Sequence, residues 1–464
     1  MYSVFKMCNV FKMCNAFKMC NAFKKYYNKH FQVYYRIIKL VSLIMYSIIH
    51  FYVNKMLDVY LYKLQPKTRL SLIKAICCKL EQINILYIKI FQSLCLNEDL
   101  LYSNEKDFLI HYCDNVPYTN ASIDYNLLND LQTTYNITLT STIPINSGII
   151  GILFDGFDCS NTKVVVKMLK RNIENDLRDL FDELLYIAWW CNYIPYINSF
   201  NITKFVLDNK ELMLEQVDFT KEAHALERFS EKYKNNKEYR FPKVYKNITQ
   251  DFNQLLVMEN IKGLTFKSLE TMDDAIKEEF AYIYIKFGLL GILHHSAIHC
   301  DLHCGNVFFY INEDHTNKPK YQMGIIDFGL TCFPNKINQN AYYIFLNDVL
   351  LNKDYSQIFT VLNSVIEEKE RLCALPKLMK EALKKEIIDT IKLCCTNEIT
   401  PTLIAQFCKI IKRYNFSFNA EFHKLVTSLL NVNNFGKKLS KNILECQTKL
   451  FNNLNDVNRL LAIP

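Results

Sequence analysis

His299-Cys300-Asp301-Leu302-His303-Cys304-Gly305-Asn306 gathers two histidines, two cysteines, an aspartate and an asparagine into eight consecutive positions. Three chemistries draw on such residues: a metal held by His and Cys, a nucleophilic thiol, or phosphoryl transfer. His299 and His303 are four apart, as are Cys300 and Cys304, so on a helix each pair would share a face suited to zinc. Gly305 and Asn306 instead favour a turn, which makes hydrogen bonds that shape a loop the plainer role for His299 and His303. A catalytic thiolate needs an electropositive pocket, and Cys300 has Asp301 beside it. Phosphoryl transfer accounts for more of the positions, because Asp301 and Asn306 have the D-x-x-x-x-N spacing of a kinase catalytic loop.

Two further motifs stand in the same order as in a kinase. Downstream lies Asp327-Phe328-Gly329, and upstream Val164-Val165-Val166-Lys167 ends a predicted strand in the manner of V-A-I-K. In that arrangement a lysine holds the α/β-phosphates, one carboxylate accepts the substrate hydroxyl proton, and an asparagine and an aspartate bind magnesium. Taken singly, Lys167 is an ordinary strand lysine and Asp327 a turn-capping residue. Their order, with strands before and helices after, carries the weight.

The bulk properties agree with a folded enzyme. Of 464 residues, 50% are apolar and 22% charged, the balance of a core-forming chain, and only 10 Gly and 10 Pro leave little room for flexible linkers. The 17 cysteines are odd in number and never spaced C-x-x-C, so reduced thiols in an intracellular protein are expected over a disulfide framework. The net charge of +8 is uneven. Residues 1–89 hold 15 Lys and Arg against Asp58 and Glu81, a net of +13, which leaves −5 for the remainder. A basic groove for nucleic acid across the whole fold is therefore not expected.

The chain opens with FKMCNV, FKMCNA, FKMCNA and FKKYYN. A period of six turns a helix by about 600°, so equivalent residues build no stripe, and a low-complexity extension is the simplest description. Residues 37–53, IIKLVSLIMYSIIHFYV, are uncharged from Leu40 to Val53, which is shorter than the ~20 residues of a membrane span. Three alternatives stay open there: an interfacial helix on an anionic membrane, a transit peptide for the mitochondrion, or a plain buried helix.

Residues 68–115 have helical spacing, and 134–170 alternate β-branched runs with turn residues, as consecutive hairpin strands do. FVLDNKELMLEQVDFTKEAHALERFSEKY is expected as one charged helix. FPKVYKNITQDFNQLLVMENIKG is expected as two strands with a turn at TQD, and 274–295 as an apolar helix. Past Phe328 the chain is expected to be helical to its end.

With these motifs the sequence resembles the UbiB-like, or aarF-domain-containing, atypical kinases. Their loop H-x-D-x-H-P-G-N is present with Cys304 in place of proline, and KIFQ matches their K-x-G-Q at Lys89 and Gln92, with Phe91 where glycine is usual. The resemblance covers roughly residues 70–360. It implies that Glu222 in VDFTKEA is the partner of Lys167, and that Met258 and Glu259 in LLVMENIKG offer backbone groups to adenine. It also implies that Ser147 and Gly148 in PINSGII stand where the family has an alanine-rich nucleotide loop. The family's E-x-D becomes Gln216-Val217-Asp218, with Glu215 one place early, so any contact with Lys89 is weakened by a neutral acceptor.

The expected fold is α+β, a two-lobed protein-kinase-like fold with an N-terminal helical extension and a mostly helical C-terminal lobe. Residues 1–30 are the repeat, 31–66 a basic apolar segment for membrane contact or targeting, 67–133 the extension, 134–262 the N-lobe and 263–464 the C-lobe. ATP and Mg²⁺ are the expected cofactors, with Asp301, Lys167 and Glu222 catalytic and Asn306 and Asp327 binding metal. Lys89, Gln92, Gln216 and Asp218 are expected to regulate, and the phosphoryl acceptor is unknown, a lipid or a small molecule. Two alternatives are an aminoglycoside- or choline-kinase-like phosphotransferase, whose loop H-G-D-x-H-x-x-N is similar, and a pseudokinase scaffold that binds nucleotide without transfer.

Overall fold

The computed structural model describes residues 118–191, 202–313, 318–394 and 401–440, with scattered positions elsewhere. The FKMCN repeat, most of 37–53, Lys89 and Gln92 lie outside the described residues. The chain forms two compact units, Met1–Tyr118 with Asn172–Glu211, and Thr119–Arg171 with Leu212–Pro464.

In the first unit the described part is chiefly a helix, Ile173–Cys191, whose Asp182 meets Lys210 at 3.3 Å. Near its end Trp189 and Trp190 pack edge to face, with ring centroids 5.1 Å apart.

The second unit begins with helix α1 (Tyr125–Tyr135), started by the Asp124 carboxylate accepting from the Leu127 amide. Four strands follow: β1 (Thr138–Leu139), β2 (Asn146–Ser147), β3 (Gly151–Phe157) and β4 (Lys163–Leu169). After β5 (Tyr239–Arg240), which belongs to another sheet, β6 (Leu255–Glu259) joins the first four in an antiparallel sheet in the order β1-β3-β4-β6, with β2 also on β3. Alternation sorts the side chains. Val164, Val166 and Met168 of β4 join Leu255 and Val257 of β6 in one core with Leu128 and Leu131 of α1. Leu256 and Met258 enter the large second core, which runs on through the helical lobe. Lys167 therefore sits within its strand and not at its end, between Leu153 and Leu256 and opposite in facing to Val166 and Met168.

Two expected elements are divided differently. The single helix over FVLDNKELMLEQVDFTKEAHALERFSEKY is two, α2 (Ile202–Glu215) and α3 (Phe219–Lys232). Asp218 breaks it, because its carboxylate accepts from the Thr220 amide at 3.0 Å and starts a new helix. The first of the two strands expected around TQD is instead a short helix, α4 (Lys246–Asp251), with Val244 making only an isolated bridge to Met258. Ile248 explains the change, since one helical turn carries it into the core beneath β6.

The rest of the second unit is largely helical. Helix α5 (Asp274–Leu290) continues as a π-helical turn, Gly291–His295. Strand β7 (Ile298–His299) leads into the HCDLHCGN loop, which closes with a 3₁₀ turn at Cys304–Asn306 before the hairpin β8 (Val307–Ile311) and β9 (Tyr321–Ile325). Phe328 is not followed by helix at once: β10 (Thr331–Cys332) first pairs with β7, Thr331 opposite His299. Helices then dominate, ending among the described residues with α6 (Ala420–Leu439), which the Asn419 side chain caps by accepting from the Phe422 amide. A strand-rich lobe and a helical lobe in one unit give the two-lobed kinase-like α+β fold.

Candidate active site

Lys167, Glu222 and Asp327 converge, although the sequence separates the outer two by 160 positions. The Lys167 ammonium donates to Glu222 Oε1 at 2.7 Å and Oε2 at 2.9 Å, and to Asp327 Oδ2 at 3.2 Å. Each partner is placed by its own element. Strand β4 turns Lys167 away from the α1-covered face, the Asp218 cap sets the start of α3 so that Glu222 falls in its first turn, and Gly329 fixes Asp327 by donating its amide to Oδ1 at 2.9 Å.

The charges are unevenly held. Burial works against the Lys167 ammonium, but Asp327 and Glu222 outweigh it and keep Lys167 protonated well past its ordinary range. Burial also disfavours the Asp327 carboxylate, yet Lys167 and the Gly329 amide hold its pKa well below the usual value. Glu222 goes the other way: burial, partly countered by Lys167 and reinforced by Asp327, pushes it up to about 7. Two carboxylates share one cation, and the more deeply buried one is the weaker acid. Glu222 is 3% exposed against 38% for the Asp327 side chain.

The catalytic-type loop is tied to the same point. His299 Nε2 bonds the Asp327 carbonyl, while its Nδ1 accepts from the Asp301 amide at 3.3 Å. An imidazole that donates from Nε2 and accepts at Nδ1 is neutral, in keeping with burial lowering its pKa. Phe328 packs edge to face on His299 at 5.2 Å and against Phe229 of α3 at 5.0 Å, so loop, DFG and α3 share one aromatic stack. Asp301 itself is half-exposed. Its carboxylate has His303 Nε2 3.8 Å away, beyond hydrogen-bond length, and His303 Nδ1 accepts from the Gly305 amide at 3.1 Å.

Asn306 is buried and spends its Nδ2 on the Asp301 carbonyl at 3.0 Å. Its amide oxygen is then the acceptor left for a cation. That oxygen and the ionised Asp327 are hard ligands, and Mg²⁺ takes one or two such groups, completing its shell with phosphates and water. The donor set fits magnesium on a nucleotide. It does not fit zinc: among the described residues no group of three or more His, Cys, Asp or Glu could hold a metal. Cys300 is fully buried and its thiol is pushed well up by burial, so it is no nucleophile.

The remaining expected site residues are dispersed. Ser147 is buried in β2, and the Gly148 amide donates to the Gly151 carbonyl at 2.9 Å, forming a tight turn. A Cβ on Gly151 would lie 3.5 Å from Lys167 Cγ, so the turn leads directly to the lysine stem. The Glu259 amide donates to Lys243 O at 2.8 Å, its carbonyl accepts from the Ile261 amide at 3.1 Å, and its carboxylate meets Arg240 at 2.7 Å, so its backbone groups are both engaged. Met258 is buried in the same strand. Gln216 lies in the break between α2 and α3, and Asp218 caps α3. Glu215, one place earlier, pairs with Lys424 of α6 at 2.7 Å.

Residues 118–362 match the family model of the ABC1 atypical kinase-like domain, more than half of the chain. The chain belongs to this ABC1 family. An uncharacterized Synechocystis protein is 22% identical over 77% of this chain and 62% of its own length. A probable protein kinase UbiB from Cellvibrio japonicus is 21% identical over 82% of this chain and 68% of its own. Among solved structures, the Rv3197–erythromycin complex from Mycobacterium tuberculosis superposes with a TM-score of 0.41 at 14% identity, covering 86% of this chain and 97% of that one. All five residues of the convergent site and its loop, Lys167, Glu222, Asp301, Asn306 and Asp327, lie inside the ABC1 match.

Proposed function

We propose that this ABC1-family chain is an ATP- and Mg²⁺-dependent phosphotransferase or ATPase. The observation that carries the proposal is the Lys167 ammonium, on an inner strand of the sheet, held by Glu222 and Asp327 and neighboured by the Gly148–Gly151 turn. Magnesium, when bound, would neutralise charge on the phosphates and orient them.

The protein's own groups supply the rest. Lys167 orients phosphate oxygens while Glu222 fixes its rotamer. Asn306 and Asp327 present the oxygen ligands, and Asp301, whose carboxylate accepts no hydrogen bond among the described residues, takes the proton from an attacking hydroxyl or water. Ser147 and Gly148 are assigned to the phosphates, and Met258 and Glu259 to the base. Lys89, Gln92, Gln216 and Asp218 are assigned to regulation, and His299 and His303 to shaping the loop. The basic segment 1–55 is assigned to a membrane surface, and undiminished liposome flotation after its deletion would refute that assignment. Among the described residues no helix is long and apolar enough to cross a membrane.

ATP hydrolysis by the purified full chain, in the presence and absence of a lipid or small-molecule acceptor, tests the proposal. Turnover that requires Mg²⁺ supports it. Magnesium-independent turnover, or none, contradicts it.

A further inference from the structure

Helix α6 lies beyond the ABC1 match, yet its polar residues reach the centre of the site. Lys424, Ser428 and Asn431 are four and then three positions apart, so they share one face of the helix. Two of them are buried donors to backbone carbonyls of the catalytic-type loop. Ser428 Oγ donates to the His299 carbonyl at 2.9 Å, and Asn431 Nδ2 to the Cys300 carbonyl at 3.3 Å. A third donor comes from α5, where the Tyr284 hydroxyl reaches the Leu302 carbonyl at 2.7 Å. The carbonyls on both sides of Asp301 are therefore held by buried protein donors, and the Asp301 carbonyl itself by Asn306.

The same face also reaches the other half of the site. Lys424 pairs with Glu215 at 2.7 Å, three residues before the Asp218 cap that starts the helix bearing Glu222. The anchoring is close: a Cβ on Gly288 of α5 would come within 2.7 Å of Val432 on α6. Buried Ser and Asn on an apolar helix cost free energy unless each is bonded, and here each bonds the loop backbone.

We infer that Ser428 and Asn431, with Tyr284, are positioning residues that hold Asp301 in its reactive place, and that Lys424 ties the start of the Glu222 helix to the same support. This rests on the proposed phosphotransferase or ATPase function. Ser428, Asn431 and Tyr284 touch no substrate and act only through the loop. Their loss displaces Asp301 while leaving Lys167 and Asp327, and hence nucleotide binding, as they are.

The test compares Ser428→Ala, Asn431→Ala, the double variant and Ser428→Thr with the unaltered full chain, using Thr427→Ala on the exposed face as a control. Two quantities are read: ATP turnover, and hydrogen exchange of the amides in 299–306. The double variant should lose about tenfold in kcat, with KM for ATP within about twofold, because small displacements of a reacting group cost rate more than binding. Its loop amides should exchange faster, and Ser428→Thr, which keeps the hydroxyl, should restore most of the rate. Unaltered kcat, or unaltered exchange in 299–306, would overturn the inference. If the double variant does not fold, Ser428→Ala alone gives the same comparison. Absence of turnover in the unaltered chain would contradict the proposed function instead, and loop exchange would then decide the positioning role by itself.

Discussion

Lys167 Nζ lies 3.2 Å from Asp327 Oδ2, and the same ammonium lies 2.7 Å from Glu222 Oε1. A strand, a helix and a turn remote in sequence thus bring one cation and two anions to a single point. Two carboxylates around one ammonium are an unbalanced set, and under the proposed function phosphate and a divalent cation would exchange its partners.

Removing the cation should expose the strain between the anions. Lys167→Met leaves Glu222 buried beside Asp327 without a counter-charge, a loss of about 3 kcal/mol when the carboxylate must stay ionised. Glu222 can escape by taking up a proton, so the loss should be larger at pH 8 than at pH 5. Denaturant unfolding at both pH values checks this, and an equal loss at each would count against the buried-carboxylate account.

Glu222 also sets a pH dependence in the unaltered chain. Its folded pKa of about 7 lies above the ordinary value of 4.5, so the folded state holds the extra proton between those limits. Its contribution to stability is full below about 4.5 and is lost as pH rises through about 7. Glu222→Gln carries no such proton, so the difference in melting temperature between it and the unaltered chain should change across this window. Parallel curves from pH 4 to 8 would refute the assignment.

Asp301→Asn should leave the loop intact, because the Asn306 and His299 contacts are made to backbone groups of residue 301. If Asp301 is the base, kcat falls by about a hundredfold or more. Turnover within a few-fold of the unaltered chain would remove it from that role.

Phe229 is fully buried and joins α3 to Phe328 and His299, with ring centroids 5.0 and 6.2 Å away. Phe229→Ala should cost about 3–5 kcal/mol through the cavity it leaves, and should loosen the DFG turn as well. A melting temperature like that of the unaltered chain would show the stack to be slack.

The motifs were legible because each is short, local and chemically specific. Gly305 and Asn306 together mark the stretch as a turn, and the 3₁₀ turn at Cys304–Asn306 bears that out. Glu222 was legible only through family resemblance, since nothing local marks it among many charged neighbours. The helix break before it was missed because the apolar spacing of α2 runs on into α3, and the Asp218 cap that divides them is a single side-chain bond. TQD was mistaken for a turn between strands because short β-branched runs fit both periodicities, and the burial of Ile248 selects the helix. Ser428 and Asn431 left only a faint trace, polar residues on an otherwise apolar helix face. Their partners are backbone carbonyls more than a hundred positions away, which no sequence pattern records.

Magnesium-dependent nucleotide binding tests the central claim most directly. Melting curves of the unaltered chain and of Asp327→Asn, taken with ATP alone and with ATP plus Mg²⁺, separate the cation's share of binding. The unaltered chain should gain the equivalent of about 2.7 kcal/mol at a hundredfold excess over Kd, most of it only when Mg²⁺ is present, and Asp327→Asn should lose the magnesium-dependent part. An equal magnesium-dependent shift in both proteins would mean that Asp327 holds no metal and that its meeting with Lys167 is merely an ion pair.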